Sequence, residues 1–370
     1  MGFSGVDPWR WQYFAHQPVP GALIIPIDDA TAWDIYPRHR WIYNKLKICE
    51  TQRLPAGPHG TEPPAYPVFS KPIYNLRGMG TGGHVVRSAR GYRASLTPGH
   101  MWMPLFTGAH VSTDVALARG RPKWWRHTTG KPGPHGTFDY WTVHAARRPA
   151  LERTLGAWLR RSLPGFSGIV NIETIGGRII ETHLRMAEQW LDLNGPGWLA
   201  AVVRLYRYGD WRFSDTDRRT GYSVVLFGEH GRRWSIDPGA VDTLRQRPGV
   251  SSIQITFDAA KPPADHAMPP GGFRLAIVNC TSLKTGRAVR EELRRVFRSA
   301  PEGSVPAPSM DVVGLAHRPL QGLDREAGLL GSVQDDRLPA RDQGGRLDDL
   351  TGHAGRNDDR TVAVGVHKVP

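Results

Sequence analysis

Five polar side chains with functional chemistry fall on one predicted hairpin. They are Asn171, Glu173, Glu181, His183 and Arg185. The hairpin consists of strands predicted at 169–174 and 178–185, separated by a turn at 175–177 whose two glycines suit a positive φ angle. Side chains on a strand alternate between its faces, and a three-residue turn would place Asn171 opposite Glu181. All five groups are therefore expected on one face of the hairpin.

This combination of side chains would be costly in a hydrophobic core, but it suits a divalent metal and the phosphates that the metal bridges. Mg²⁺ prefers oxygen ligands, usually one or two carboxylates together with phosphate oxygens and water. An arginine beside the metal can hold another anion through two hydrogen bonds. The alternative interpretation is the solvent-facing polar side of an edge hairpin.

Two lysines and a glycine-rich loop precede this hairpin along the chain. The predicted elements are a helix at 45–54, strands at 66–73 and 84–86, and the glycine-rich loop at 78–83 that joins these strands into a lid. Asn44 is a good N-cap for the helix, which begins at Lys45, and Lys71 lies in the first strand of the lid. Backbone N–H groups of a glycine-rich loop can cover phosphates. Together with the carboxylate hairpin, these features indicate a phosphate site more strongly than the loop alone.

Further predicted elements complete an α+β chain. Strands are predicted at 22–27, 101–106, 111–118, 222–227, 253–257 and 273–279, and amphipathic helices at 150–163 and 286–298. Thr107 and Gly108 lie between the strands at 101–106 and 111–118.

The order of these motifs resembles the ATP-grasp superfamily, in particular its carboxylate-amine ligases. The resemblance rests on Asn44-Lys45-Leu46, Tyr66 to Pro72, Gly78-Met79-Gly80-Thr81-Gly82, Met103 to His110, Gly168 to Glu173 and Glu181 to Arg185. It implies the α+β ATP-grasp fold, in which two subdomains of antiparallel sheet and helices clamp a nucleotide. Family members usually have an N-terminal domain before the first lysine, so residues 1–40 are expected to be a reduced N-terminal segment.

The resemblance also implies roles for individual residues. ATP is expected to contact Lys45, Lys71, Gly78, Gly80, Gly82, Met103, Pro104, Phe106 and His110. Glu173, Glu181 and His183 are expected to hold Mg²⁺, or Mn²⁺ in its place. Asn171 could fill the first metal position instead of Glu173. Glu173 is favoured because only a carboxylate supplies charge. Arg185 is expected to be the catalytic residue that holds the acceptor carboxylate or stabilises the acyl phosphate.

Three positions depart from the family pattern. Met103 stands where the family hinge commonly has Glu, and His110 stands at the expected ribose-binding carboxylate. His183 replaces the usual Asn ligand, and an imidazole suits Mg²⁺ less well than oxygen does.

The implied enzyme is an ATP-dependent carboxylate-amine ligase. ATP phosphorylates a substrate carboxylate, and an amine or similar nucleophile then attacks the acyl phosphate. The expected partners are small-molecule acids and amines, with a partner subunit or a second copy of the chain supplying the missing N-terminal part. One alternative is a nucleotide-binding or scaffold protein that kept the fold and lost turnover. The other is a basic protein that binds nucleic acid, which is disfavoured because the sequence has no long basic run or recognised binding motif.

Composition divides the chain near residue 300. Residues 301–370 have 8 basic and 11 acidic residues and no aromatic residue, which predicts a disordered tail. The first 300 residues have 40 basic and 23 acidic residues, a formal charge of +17. We expect one ATP-grasp domain at 41–300 that includes appended strands and a helix, with a solvated basic surface.

Membrane and disulfide-rich classes are excluded by composition. No segment approaches the roughly 18 to 20 uncharged apolar residues of a membrane span, and the start of the chain has no apolar signal region. Cys49 and Cys280 are the two cysteines, which favours a reducing cytoplasm and predicts two small buried groups.

Two aromatic features have alternative interpretations. The Trp124-Trp125 pair could stack on a carbohydrate or a base, but such residues more often fill a core. His127 precedes a Gly- and Pro-containing loop at 131–136. The segment is interpreted either as a mobile element near the active site or as a plain surface loop.

Overall fold

The structure is a computed structural model that describes residues 2–5, 8–14, 16–76, 80–263, 266, 269 and 271–301. Gly78 and residues 302–370 of the predicted tail lie outside the described residues, whereas Pro301 ends the last described strand. The described residues all fall within the unit Met1–Pro306.

Sixteen strands, seven α-helices and four short 3₁₀ helices are present in these described ranges. The strands are β1 (Phe3–Ser4), β2 (Ile25–Pro26), β3 (Gly57–Pro58), β4 (Val68–Pro72), β5 (His84–Val86), β6 (His100–Pro104), β7 (His110–Ala118), β8 (Arg121–Pro132), β9 (Phe138–Val143), β10 (Gly168–Ile175), β11 (Arg178–His183), β12 (Gly221–Gly228), β13 (Arg232–Ser235), β14 (Val250–Ile255), β15 (Phe273–Cys280) and β16 (Arg298–Pro301). The α-helices are α1 (Asp29–Ile35), α2 (Lys45–Thr51), α3 (Ala89–Ala94), α4 (Pro149–Ser162), α5 (Trp198–Tyr208), α6 (Pro238–Arg245) and α7 (Leu283–Val296). The 3₁₀ helices are Pro8–Tyr13, Pro37–Tyr43, Pro134–Gly136 and Leu191–Asn194.

A large antiparallel sheet forms the centre of the molecule. Its eight strands are ordered β11-β10-β7-β8-β9-β12-β15-β14. The predicted hairpin is β10 and β11 at one edge, and β12, β14 and β15, the expected appended strands, continue the same sheet. The predicted α+β class with antiparallel sheets is thus confirmed.

A second, smaller sheet contains the predicted lid. Its strands are ordered β3-β6-β4-β5, and β4 and β5 pair antiparallel as expected. β6 belongs to this small sheet, whereas β7 belongs to the large one. Residues 105–109 therefore carry the chain from one sheet to the other, at the segment that resembles a family hinge.

Helices α4 and α5 cover opposite faces of the large sheet. Side chains on β7 and β10 alternate between these faces, so each strand has apolar residues in contact with both helices. Leu155 and Leu159 of α4 belong to one buried cluster with Val170. Val202 of α5 belongs to another cluster with Ile169. Asn171 and Glu173 alternate with the residues that face α4, so they point to the face of Ile169.

Local sequence chemistry explains where α2 begins. The Asn44 side chain accepts a hydrogen bond from the Lys47 backbone N–H at 3.2 Å, as an N-cap should. The helix ends at Thr51 rather than at the expected Leu54. Cys49 on this helix and Cys280 on β15 are both buried free thiols, in agreement with the sequence prediction.

His127 lies within a central strand, and residues 133–136 of the loop predicted at 131–136 follow the end of that strand. β8 spans Arg121–Pro132, and the His127 side chain is fully buried between Thr113 Oγ1 at 3.0 Å and Glu152 Oε1 at 3.1 Å. The aromatic and β-branched residues of the 124–129 stretch suit a strand interior. Trp124 and Trp125 are buried in two core clusters, as the core interpretation predicts.

None of the described helices is both long enough and apolar enough to cross a membrane.

Candidate functional site

A cavity of about 1240 Å³ gathers most of the predicted site residues. Those that line it are Lys45, Lys71, Gly80, Met103, Pro104, Phe106, His110, Glu173, Glu181, His183 and Arg185. Gly82 is not among the lining residues, although its neighbours Thr81 and Gly83 are. Residues separated by up to 140 positions in sequence therefore share one cavity between the two sheets.

The register of the β10–β11 hairpin differs from the predicted one. Glu173 lies opposite Glu181, and Asn171 lies opposite His183, so the expected pairing of Asn171 with Glu181 was wrong. The turn contains only Gly176 and Gly177, and a bulge follows Glu173. The shift keeps all four side chains on the cavity side.

Each of the two facing carboxylates is paired with a cation from another element. Lys45 Nζ lies 2.9 Å from Glu181 Oε1, and His110 Nε2 lies 3.0 Å from Glu173 Oε2. Burial alone would raise the pKa of Glu173, but the hydrogen bond and charge of His110 lower it to about 2. Burial likewise opposes protonation of His110, yet the bond to Glu173 raises the pKa of this imidazole above its ordinary value. Glu173 is therefore ionised at neutral pH, and each of the two carboxylates lies within 3.0 Å of a basic side chain.

Lys71 reaches the same end of the cavity from the small sheet. Its Nζ donates a hydrogen bond to the backbone carbonyl of Ile180 at 2.7 Å, next to Glu181. Burial lowers the pKa of Lys71 to about 8, and the nearby Lys45 charge acts in the same direction. Lys45 and Lys71 thus bring two positive charges to a buried site, as a polyphosphate ligand requires.

The apolar part of this end is formed by residues of the expected hinge and by their neighbours. Met103 is buried on β6, where it lies opposite Phe69 on β4. Phe69, Phe106 and Ile180 line the cavity around it, giving an apolar slot beside the chain crossing between the sheets. Such a slot suits a flat heterocyclic ring.

Asp29 is a charged residue of the site that the sequence interpretation missed. Both of its carboxylate oxygens are bound by Arg185, from Nε at 3.2 Å and from Nη2 at 3.0 Å. His183 Nδ1 lies 3.0 Å from the same oxygens. Burial alone would raise the pKa of Asp29, but the Arg185 and His183 charges hold it well below its ordinary value. In the sequence, Asp29 lies just after the strand predicted at 22–27, and nothing in that position indicates a role in the site.

Glu188 is a second missed acid, surrounded by three arginines. Arg10 Nη1 lies 2.9 Å from Glu188 Oε1, Arg274 Nη2 lies 3.4 Å from that same oxygen, and Arg185 Nη1 lies 3.6 Å from Oε2. Burial alone would raise the pKa of Glu188, but these three charges lower it to about 2. The segment before α2 therefore supplies Arg10 and Asp29 to the cavity.

The oxygen atoms of the hairpin fit a hard divalent cation. Asn171 Nδ2 donates to Ser112 Oγ and to Asp114 Oδ1, both at 2.9 Å, so the amide oxygen is the atom left for a ligand in the cavity. This oxygen and the carboxylates of Glu173 and Glu181 are the kind of donors that Mg²⁺ prefers.

His183 fits a metal site less well than these oxygens do. Burial opposes protonation of its ring, but the Asp29 charge raises the pKa of His183 above its ordinary value, and protonation of the ring competes with metal binding. Within the described ranges, no group of three or more His, Cys, Asp and Glu side chains is arranged to hold a metal ion. The assignment of Glu173, Glu181 and His183 as metal ligands stays a prediction.

Solved structures with a similar fold are named as ligases and as a synthase. L-amino acid ligase from Bacillus licheniformis matches with a TM-score of 0.53 and 14% identity, over 79% of this chain and 83% of that one. Carboxyaminoimidazole ribonucleotide synthase from Aspergillus clavatus, solved with ATP, matches with a TM-score of 0.54 and 12% identity, over 80% and 91% of the two chains. Phosphoribosylamine–glycine ligase from Thermotoga maritima matches with a TM-score of 0.54 and 14% identity, over 78% and 86%.

These structures share the ATP-grasp fold, and this chain has the ATP-grasp fold. The resemblance drawn from the sequence motifs is confirmed at the level of the fold. No protein-family model and no curated protein sequence matches the chain.

Proposed function

We propose that this protein is an ATP-dependent ligase that activates a carboxylate as an acyl phosphate for attack by an amine or similar nucleophile. The observation that carries the proposal is the pairing of Glu173 with Glu181 across the hairpin, beside Lys45 and Lys71, in a cavity between the two sheets. Two carboxylates with two buried lysines form a site for a metal-bound polyphosphate. The names of the three similar structures support the same class of reaction.

The residues of the chain suit phosphoryl transfer. The γ-phosphoryl group would move from ATP to a carboxylate oxygen, giving ADP and an acyl phosphate. The amine would then attack the acyl carbon, phosphate would leave, and the nitrogen would lose a proton. Lys45 and Lys71 would neutralise the phosphate oxygens during the first step. Bound Mg²⁺, or Mn²⁺, held by Glu173 and Glu181 would supply further positive charge to the transferred group.

Arg185 is the residue we propose for the acceptor. Asp29 and Glu188 hold its guanidinium in a fixed orientation at the wall of the cavity. A fixed guanidinium costs little reorganisation when it binds an anionic group, which favours a carboxylate or an acyl phosphate. No side chain of the protein needs to form a covalent intermediate.

The proposed substrates and cellular compartment follow from the proposed reaction and from the two cysteines. The substrates would be a small-molecule acid and an amine, and the free thiols of Cys49 and Cys280 suit a reducing cytoplasm. A partner subunit or a second copy of the chain remains a prediction.

Thermal unfolding with Mg-ATP tests the nucleotide site. A ligand that binds only the folded state, present at one hundred times its dissociation constant, adds about 2.7 kcal/mol of stability. We expect Mg-ATP to raise the unfolding temperature of the wild type but not that of Glu181→Gln. Glu50→Gln is the matched control because Glu50 is an exposed glutamate paired with Lys47. Equal shifts in the wild type and in Glu181→Gln would contradict the site assignment.

Turnover is tested separately by ADP formation. We expect ADP to form only when an acid and an amine are both present, from a panel of each. The second candidate is a nucleotide-binding protein without turnover. It is favoured by one observation, the engagement of both Arg185 and His183 by Asp29. Mg-ATP binding without ADP formation for any acid and amine pair would support this second candidate.

A further inference from the structure

The β10–β11 hairpin presents three side-chain oxygens to the cavity that have no partner within the described part of the chain. Lys45 engages only Oε1 of Glu181, and His110 engages only Oε2 of Glu173, so one oxygen of each carboxylate is left over. The third oxygen is that of the Asn171 amide. The described atoms that are unpartnered and sealed from solvent include none of these three, so each can be reached from the cavity that the residues line.

Two residues of β7 fix the orientation of the Asn171 amide. Asn171 is 1% exposed, and its Nδ2 donates hydrogen bonds to Ser112 Oγ and to Asp114 Oδ1, both at 2.9 Å. Asp114 is buried as well, and the same Oδ1 accepts a hydrogen bond from the Ala187 backbone N–H at 3.0 Å. A carboxylate oxygen at this place selects the NH₂ group of the amide, because it offers an acceptor and no donor. The carbonyl oxygen of Asn171 is therefore the atom turned toward the cavity.

The register of the hairpin brings the three oxygens close to one another. Glu173 lies opposite Glu181, and Asn171 lies two residues before Glu173 on the same face of β10. Facing residues on antiparallel strands have Cβ atoms about 4.5 to 5.5 Å apart, and diagonal neighbours stay within reach of longer side chains. Carboxylate and carbonyl oxygens are the donors that suit Mg²⁺. The three side chains can therefore share one ion, with phosphate oxygens and water as its other ligands.

His183 is held by a different partner. It lies opposite Asn171 in the ladder, and its Nδ1 is 3.0 Å from both carboxylate oxygens of Asp29. An imidazole nitrogen also suits Mg²⁺ less well than oxygen does. Among the described residues, no three His, Cys, Asp or Glu side chains are grouped around one metal position. A third protein ligand beside the two glutamates would therefore be a residue of another type, and Asn171 is such a residue.

Resting on the proposed function, we propose that Asn171 Oδ1 binds the Mg²⁺ that accompanies ATP, together with Glu173 and Glu181. His183 is not a ligand of this ion. The family pattern places an amide at position 183, and this chain supplies the amide from the facing position on the neighbouring strand.

Electron spin echo spectroscopy of bound Mn²⁺ tests the ligand set on the wild type. The full-length protein would be loaded with Mn²⁺ and a non-hydrolysable ATP analogue, and ¹⁵N labelling of the protein would separate its nitrogens from those of the nucleotide. An imidazole nitrogen bonded to Mn²⁺ modulates the echo, whereas an amide that binds through oxygen places no nitrogen on the metal. We expect no directly bonded protein nitrogen. The signature of a bonded imidazole would overturn the all-oxygen ligand set.

Asn171→Ala tests the new ligand itself. Titration calorimetry would measure the affinity for the ATP analogue with Mn²⁺ and, separately, with EDTA. Replacing a residue one step removed from a metal lowers metal affinity by about ten- to a hundredfold, so losing a direct ligand should weaken binding of the Mn²⁺ complex by at least about tenfold. Binding of the metal-free analogue should match the wild type. An unchanged affinity with Mn²⁺, or an equal loss with EDTA, would overturn the assignment.

Thr182→Val is the matched control for Asn171→Ala. Thr182 is also buried on the hairpin, but it does not line the cavity. The control should bind the Mn²⁺ complex as the wild type does. A loss in the control equal to that of Asn171→Ala would show that any buried change on the hairpin has this effect, and would overturn the assignment.

Asp114 is proposed as a positioning residue, since it acts on the metal only through the Asn171 amide. Asp114→Asn keeps an acceptor oxygen for that amide, whereas Asp114→Leu removes it. We expect the leucine variant to bind the Mn²⁺ complex at least about tenfold more weakly and the asparagine variant to stay close to the wild type. If the leucine variant does not fold, Ser112→Ala removes the other acceptor and gives the same test. Equal losses in the two Asp114 variants would overturn the positioning role.

The outcomes separate this proposal from the one on which it rests. A wild type that binds the ATP analogue neither with Mn²⁺ nor with EDTA would overturn the proposed function itself. Binding of the Mn²⁺ complex that is the same in the wild type and in Asn171→Ala would overturn only the role of Asn171.

Discussion

Lys71 shows how burial can set the charge state of one side chain. It is 8% exposed, and its ammonium group donates a hydrogen bond to the carbonyl of Ile180. Burial lowers the pKa of Lys71 to about 8, Glu181 acts against this shift, and Lys45 adds to it. Cys49 and Glu173 are the other titratable groups whose charge acts on Lys71. Lys71 therefore loses its proton, and with it its positive charge, as the pH rises above about 8.

Mg-ATP affinity should fall as the pH rises through about 8. The charged ammonium binds phosphate, and the neutral amine that forms above the pKa of Lys71 does not. Losing one charge-assisted hydrogen bond costs about 1.5 to 3 kcal/mol, so calorimetric titration should show at least about tenfold weaker binding at pH 9.5 than at pH 7. In Lys71→Arg, whose guanidinium stays charged, the affinity should be independent of pH. A flat wild-type profile would contradict this role for Lys71.

The β10–β11 turn is an element that must fit beneath the chain crossing between the sheets. Gly176 has a φ angle of +56°, and a Cβ atom there would lie 2.4 Å from the carbonyl oxygen of Thr107. Gly177 has a φ angle of +80°, but a Cβ atom there would meet nothing within 4 Å. The positive φ angle favours glycine at both positions. Of the two, only Gly176 also lies where a Cβ atom would clash with a neighbouring atom. The close approach ties the carboxylate hairpin to the hinge-like segment.

Alanine at these two glycines should have unequal effects. Gly177→Ala should lower the free energy of unfolding by about 1 kcal/mol, because alanine is strained at a positive φ angle. Gly176→Ala has the same conformational strain, and its Cβ atom must also displace the backbone at Thr107. We therefore expect a larger loss of stability and weaker Mg-ATP binding. Urea unfolding and calorimetry of the two variants would measure this difference. Equal losses for both variants would show that the contact with Thr107 does not matter.

Glu188 connects three distant parts of the whole molecule. Arg10 comes from the N-terminal segment, Arg185 follows β11, and Arg274 lies on β15. A carboxylate buried among three guanidinium groups is stable only when all three segments are folded together. The N-terminal segment and the appended strands should therefore unfold with the central hairpin in one transition.

Glu188 should make the folded state sensitive to acid. Its pKa is lowered to about 2 in the folded protein, so its contribution is fully present above the ordinary pKa and is lost as the pH falls toward 2. The shift corresponds to about 3 kcal/mol at neutral pH. Chemical denaturation should show Glu188→Gln less stable than the wild type at pH 7, with the difference shrinking between pH 4.5 and pH 2.

The matched control for this prediction is Glu50→Gln, an exposed glutamate on α2. Its stability should follow the wild type at every pH, because an exposed ion pair contributes little. A stability difference for Glu188→Gln that did not change with pH would show that the carboxylate charge is not the cause.

Features that depend on neighbouring residues could be predicted from the sequence. The Asn44 cap, the period-two pattern of β10 and β11 and the apolar spacing of α4 are all local, because hydrogen bonding and side-chain direction repeat over a few residues. The order of the lysines, the glycine loop and the carboxylates was enough to indicate the ATP-grasp fold. The sequence by itself thus determined the fold class and indicated most of the residues at the end of the cavity where we propose that the nucleotide binds.

Features that depend on long-range packing were decided only by the tertiary structure. Asp29 meets Arg185 across 156 positions of sequence, and no local pattern encodes that contact. The register of Glu173 against Glu181 follows from a bulge and a two-residue turn that tertiary contacts fix. Buried ion pairs form where burial removes water from charges that the fold brings together, and this cannot be seen in the spacing of residues along the chain.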